Sequence, residues 1–100
     1  MINAGADQWN KTLTKNEDIV SRRIADELII VPIRGKLADM QRIFALNPVA
    51  EYIWQALDDH RRLGDIRDHI LSHYEIGKEQ AEADILNFID ELRAADLIRE

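Results

Sequence analysis

The stretch FALNPVAEYIW, residues 44–54, changes from a strand-like pattern to a helix-like pattern within four residues. Asn is a favoured N-cap residue because its side chain accepts a hydrogen bond from a backbone N–H at the start of a helix. Pro suits the first helical position because it has no N–H to satisfy there. Asn47 and Pro48 therefore predict that a strand ends and a capped helix begins at this corner.

Three strands are predicted before the corner. The segments IVSRRIA and LIIVPI, between residues 19 and 33, are rich in β-branched residues, and the polar pair Asp26-Glu27 between them predicts a hairpin. QRIFAL, residues 41–46, is the third strand. Alternation along this strand places Phe44 and Leu46 on one face, and Ile43 and Ala45 on the other.

Three helices are predicted after the corner, at about residues 48–57, 64–74 and 78–96. Each carries apolar residues at helical spacing, and the third repeats Ala81, Ile85, Phe88, Leu92 and Ala95 at steps of four and three. This order predicts an α+β fold that is winged helix-turn-helix-like, with a three-stranded antiparallel sheet followed by three helices. Residues 1–17 are polar and aperiodic, so they are predicted to form a flexible N-terminal tail before a domain at 18–100.

Composition narrows the possible partners and the compartment. The chain has no cysteine, which excludes disulfides and thiolate chemistry and makes the reducing cytoplasm the expected compartment. No segment has the length and apolar character of a signal peptide or a membrane span. The net charge of −6 opposes binding to phosphate backbones, and the third helix carries six acidic side chains against two basic ones. We therefore expect neither nucleic acid nor membrane as a partner.

Candidate catalytic and metal-binding residues are few. His69 and His73 stand four residues apart with Asp65 one turn earlier, but Ile70 occupies the position of the glutamate in an H-E-x-x-H motif. No glycine-rich phosphate-binding motif is present, and no carboxylate pair is buried by pattern as general acid–base chemistry would require. We predict no metal, no cofactor and no enzymatic activity.

The third helix has an apolar arc that is wider than its core stripe. Leu86 and Ile89 widen the arc on one side only, and Glu82 and Arg93 border this extension. The extension could be a broad core contact, the docking site of the N-terminal tail, or the wall of a groove that receives a partner. The last strand of the predicted sheet would offer unpaired N–H and C=O groups to an extended peptide beside such a wall.

Four segments together resemble the PqqD-like family over residues from about 19 to 98: ADELIIVPIRGKLAD, IFALNPVAEYIW, ALDDHRRLGDIRDHI and YEIGKEQAEADILNFIDELRAADLI. The resemblance implies a winged-helix-like peptide-binding domain at residues 18–100, a recognition element for ribosomally made peptides that are later modified. Such domains are non-catalytic. They hold the leader segment of a precursor peptide and deliver it to a modifying enzyme, often a radical S-adenosylmethionine (SAM) enzyme.

The resemblance also implies a binding site, in which the leader adds as a strand beside the third strand and packs against the third helix. The positions that match are Arg42, Ile43, Phe44 and Ala45, with Glu82, Leu86, Ile89 and Arg93 opposite. We expect the two arginines to meet leader carboxylates, and Leu86 and Ile89 to accept apolar side chains. A winged-helix transcription regulator and a homodimeric adaptor stay open as alternatives, and the expected state is a monomer or weak homodimer.

Overall fold

A computed structural model describes residues 8–16, 19–32 and 43–99 of the chain. Strands come first, then helices, with a short strand after the first helix and another at the end. The elements are β1 (Thr12–Lys15), β2 (Ile19–Ile24), β3 (Glu27–Pro32), β4 (Phe44–Leu46), α1 (Pro48–Ala56), β5 (Asp58–Arg62), α2 (Leu63–His73), α3 (Lys78–Ala94) and β6 (Ile98–Arg99). Within these residues, no helix is both long enough and apolar enough to cross a bilayer.

The predicted sheet is present and has the strand order β2-β3-β4, with antiparallel neighbours. The hairpin turns at Ala25 and Asp26, one residue earlier than predicted. Leu28 pairs with Leu46, and Ile30 pairs with Phe44. Paired residues share a face of a sheet, so these four side chains point together into the core, where all four are buried.

The third predicted strand is shorter than expected. Its regular part is Phe44–Leu46, Ile43 lies just before it, and Gln41 and Arg42 lie outside the described residues. The predicted alternation is correct: Phe44 and Leu46 are buried, whereas Ala45 is exposed. Ile43 is 61% exposed.

A second sheet, of order β5-β1-β6, corrects the prediction for the N-terminus. Part of the predicted flexible tail, residues 12–15, is a strand that pairs antiparallel with β5 on one side and β6 on the other. Its Leu13 side chain is fully buried in the core. One apolar residue in a polar segment is a weak strand signal, and the pairing partners of β1 come from residues far along the chain. Residues 1–7 and 17 of the predicted tail lie outside the described residues.

The helices begin and end close to their predicted limits. The Asn47 side chain accepts a hydrogen bond of 2.8 Å from the Ala50 N–H, and Pro48 is the first residue of α1, so the predicted cap is confirmed. Ile53 and Trp54 of α1, Ile66 and Ile70 of α2, and the α3 stripe pack into one core with both sheets. The predicted α+β fold, winged-helix-like with a three-stranded antiparallel sheet and three helices, is confirmed.

Candidate functional site

A surface cleft of about 380 Å³ lies between β4, the first turns of α1 and one side of α3. Side chains from all three elements surround it. The lining residues are Phe44, Ala45, Leu46, Asn47, Val49, Ala50, Ile53, Asp84, Asn87, Phe88 and Glu91. The cleft is therefore a place where a strand, a helix start and a helix side meet.

Strand β4 forms one border of the cleft. Among the described strands, β4 is at the end of its sheet and pairs with β3 alone. Successive N–H and C=O groups of a strand point to opposite sides, so about half of the backbone groups of β4 point away from β3. An extended chain lying along this edge would find backbone donors and acceptors there.

The start of α1 forms the floor of the cleft. Val49 and Ala50 are half-buried, and Ile53 is buried below them. The Asn47 cap orders the first turn at the border with β4, and an ion pair between Arg23 of β2 and Glu51 ties the sheet to this helix. The hydrogen bond from Arg23 lowers the pKa of Glu51 below its usual value. The floor is apolar, and the Arg23–Glu51 ion pair links it to the sheet.

Helix α3 forms the opposite wall. Asp84, Asn87, Phe88 and Glu91 follow one another at helical spacing, so they share one side of the helix. The Phe88 ring is half-buried and packs against the core cluster. The carboxylates of Asp84 and Glu91 stand on either side of this ring along the helix. This wall joins an apolar centre to an acidic rim.

The structure brings together only part of the site predicted from the sequence. Phe44 and Ala45 line the cleft, and the exposed Ile43 precedes them along the chain. Arg42 lies outside the described residues. The strand side of the predicted site and the cleft therefore coincide at two of the four predicted positions.

The four positions predicted on the third helix are not brought to the cleft. The Glu82 carboxylate accepts a hydrogen bond of 2.8 Å from Arg67 of α2, and Ile89 is only 2% exposed within the core. Leu86 is half-buried and Arg93 is exposed, with a guanidinium nitrogen 3.9 Å from the Asp90 carboxylate. At about 100° per residue, this side of α3 is turned well away from Asp84, Asn87 and Glu91.

The groove wall predicted from the sequence and the wall of this cleft therefore lie on different sides of α3. For Ile89, the broad core contact is the correct interpretation of the widened arc. The width of an apolar arc does not tell which neighbouring element covers each of its borders, and here α2 lies against the Glu82 side. Phe88 belongs to the predicted core stripe and is flanked by two acids at helical spacing, and these acids were the available signal for the side that lines the cleft.

The two histidines of α2 that the sequence offered as candidate metal ligands form part of a ring stack. The His69 ring lies between Tyr52 and His73, with centroid distances of 4.1 and 3.9 Å, and neither histidine lines the cleft. Burial lowers the pKa of His69, with contributions from His73 and Arg61. The third candidate, Asp65, accepts a hydrogen bond from the Arg62 N–H instead. Within the described residues, no group of three ligating side chains is arranged to hold a metal ion.

Residues 27–98 match the family model described as "Coenzyme PQQ synthesis protein D (PqqD)". Two solved structures have the same fold. One, described as TbiB1 in complex with the TbiA(beta) leader peptide, is 24% identical with a TM-score of 0.70, covering 86% of this chain and 94% of the other. The second, described as lasso peptide synthetase B1 complexed with the leader peptide, is 20% identical with a TM-score of 0.74, covering 90% and 100%. No curated protein matches the sequence.

Proposed function

The chain belongs to the PqqD family, and from that premise we propose that it binds the leader segment of a ribosomally made precursor peptide in the cleft beside β4. The observation that carries the proposal is the arrangement of an edge strand, an apolar floor and a helical wall around one cleft. Two proteins with this fold are described as complexes with leader peptides, which supports the same class of ligand here.

The proposed mode of binding is strand addition. The leader pairs its backbone with the outward N–H and C=O groups of β4 and extends the β2-β3-β4 sheet by one strand. Alternate leader side chains then point into the cleft, where Phe88 of α3 and Val49 of α1 offer apolar contacts. Backbone pairing supplies affinity that is independent of sequence, and the cleft selects the side chains that enter it.

An affinity in the micromolar range or tighter, about −8 kcal/mol, is expected for this mode. The hydrophobic and backbone contacts must first offset the cost of ordering the peptide, which is about 2–5 kcal/mol for a segment that folds on binding. Because β4 has only three strand residues, few backbone hydrogen bonds can form along it. Contacts with the α3 wall must therefore supply much of the remaining affinity.

The proposed role is non-catalytic. The chain would hold the leader while a modifying enzyme acts on the rest of the precursor, and the family resemblance makes a radical SAM enzyme our proposal for that partner. The absence of cysteine fits a chain that works in the reducing cytoplasm, which is the proposed compartment.

Phe88 provides the direct test of the cleft. A pull-down from extract of the native cells, with the co-purified peptides identified, supplies the leader for titration. We expect Phe88→Ala to weaken leader binding by roughly tenfold or more, because it removes the apolar centre of the helical wall. The measurement is isothermal titration with the synthetic leader.

Leu86→Ala is the matched control, since Leu86 is also half-buried on α3 but lies on the side turned away from the cleft. Its leader affinity should stay within about twofold of the parent. If Leu86→Ala weakens binding and Phe88→Ala does not, the leader occupies the other side of α3 and the proposed cleft is wrong.

A second candidate role, the homodimeric adaptor, has one observation in its favour. Val20 and Ile24 of β2, together with Ile43, are the exposed large apolar residues in the described part of the chain. In the β2-β3 pairing, Val20 lies opposite Val31, and Ile24 lies opposite Glu27, on the face turned away from the core. A second copy could cover this outer face.

A further inference from the structure

The two long walls of the cleft differ in chemical character. The β4 and α1 side is formed by apolar groups such as Phe44, Leu46 and Val49. The α3 side adds two carboxylates, those of Asp84 and Glu91, which lie one helical turn before and one helical turn after Phe88. A ligand that only had to be apolar would not need acidic groups on the wall that faces it.

Neither acid is neutralised within the described part of the chain. Asp84 accepts a hydrogen bond of 2.7 Å from the neutral Gln80 amide, and no ion pair joins Asp84 or Glu91 to a described lysine or arginine. Two other acids, both half-buried, differ in this respect, because Glu51 pairs with Arg23 and Glu82 with Arg67. The cleft therefore presents negative charge that a ligand can neutralise.

Partial burial makes this charge effective. Asp84 is half-buried beside the Phe88 ring, and an apolar ligand chain laid across the ring would remove more water from the carboxylate. An unpaired carboxylate is costly when it loses water, whereas a carboxylate that gains a cation in the same place is stabilised. An acidic ligand side chain would add like-charge repulsion in the same space.

We propose that the cleft selects a peptide strand with a lysine or arginine among the side chains that face α3, and that Asp84 and Glu91 are the specificity-determining residues. This inference rests on the proposed function and names the chemical class of its ligand. The aliphatic stem of the cation packs on the Phe88 ring, and its charged end reaches the acidic rim. The prediction made from the sequence, that arginines of this chain meet leader carboxylates, has the opposite polarity.

The test uses the full chain and a display library of peptides of about ten residues, enough for one added strand, with basic, acidic and apolar residues sampled at every position. We expect the selected peptides to be enriched in lysine or arginine at alternate positions. A selected peptide should bind the double variant Asp84→Asn/Glu91→Gln about fivefold more weakly than the parent. Its affinity for the parent should also fall as salt is raised.

The matched control is Glu79→Gln/Asp90→Asn, which removes two exposed acids of the same helix outside the cleft and changes the net charge equally. It should bind the selected peptide as the parent does. Equal weakening in both double variants would mean that only the overall negative charge attracts the peptide, which overturns the inference.

Two other outcomes separate this inference from the proposed function. In the first, the selected peptides are apolar or acidic and fail to bind the Phe88→Ala variant. In that case strand binding in the cleft stands, and selection of a cation is wrong. If no peptide is selected whose binding depends on Phe88, both the cleft function and the inference fail. Thermal unfolding of each variant confirms that the fold is intact.

Discussion

Three residues other than glycine have positive φ angles in the described part of the chain: Ala25 (55°), Asp59 (67°) and Asp96 (58°). Asp96 follows the end of α3, where left-handed backbone commonly ends a helix, and Asp tolerates this region better than most residues. Ala25 has no such side chain and occupies the β2-β3 turn, where a glycine is usually favoured. The backbone at Ala25 is therefore strained by its own Cβ.

Ala25→Gly should raise the free energy of unfolding by about 0.5 kcal/mol. Relief of the left-handed strain, roughly 1 kcal/mol, exceeds the extra chain entropy that glycine adds to the unfolded state. The measurement is urea denaturation. Ala83→Gly, at an exposed helical position of α3, is the control and should lower the free energy of unfolding by about 1 kcal/mol. If Ala25→Gly and Ala83→Gly lower the free energy of unfolding by similar amounts, the assignment of strain to Ala25 is wrong.

Helix α3 contacts different elements on its two sides. On one side Glu82 pairs with Arg67 of α2, whose guanidinium also lies 5.0 Å from the centroid of the Trp9 ring. The Arg67 side chain is only 19% exposed, so its pair with Glu82 is better shielded from solvent than most surface pairs. On the other side, Asp84 and Phe88 face the cleft. We therefore expect substitutions on the Glu82 side to change stability, and substitutions on the Phe88 side to change ligand binding.

Glu82→Gln should lower the free energy of unfolding by about 1 kcal/mol, because it removes the better shielded of the two carboxylates that contact Arg67. Leader affinity should not change, since Glu82 lies outside the cleft. Denaturant titration and isothermal titration on the same preparation measure the two quantities. A loss of leader affinity without a loss of stability would return Glu82 to the binding site predicted from the sequence.

At the scale of the whole molecule, the described residues form one core, to which both sheets and α1, α2 and α3 contribute, and the cleft lies beside that core. In the described residues, the exposed large apolar side chains of the outer sheet face are few. Three such side chains bury a few hundred Å² at most, whereas a stable interface covers about 1,200–2,000 Å² in total. The described apolar part of the outer face is therefore too small, by itself, to hold a tight homodimer.

Light scattering across a concentration series should therefore give the mass of one chain, 11.6 kDa, up to about 100 μM. Ile24→Lys places a charge on the outer face and should leave this mass unchanged. A parent mass near twice that of one chain at low micromolar concentration, reduced by Ile24→Lys, would favour the homodimeric adaptor over a monomeric peptide binder.

The local sequence determined the parts of this fold that depend on neighbours along the chain. The Asn47-Pro48 corner, the alternation through Phe44 and the apolar stripe through Ile85 were all predictable. A cap, a strand face and a helix stripe each follow from residues within a few positions of one another.

Only the tertiary structure decided which distant segments meet. Leu13 forms part of a strand because β5 and β6 pair with β1 on either side, and nothing within residues 1–17 encodes those partners. The cleft uses Phe88 rather than Ile89 because α2 packs against one border of α3 and leaves the other beside β4. Helical periodicity fixes the angle between two side chains on a helix, but the packing of the whole chain fixes which of them is covered.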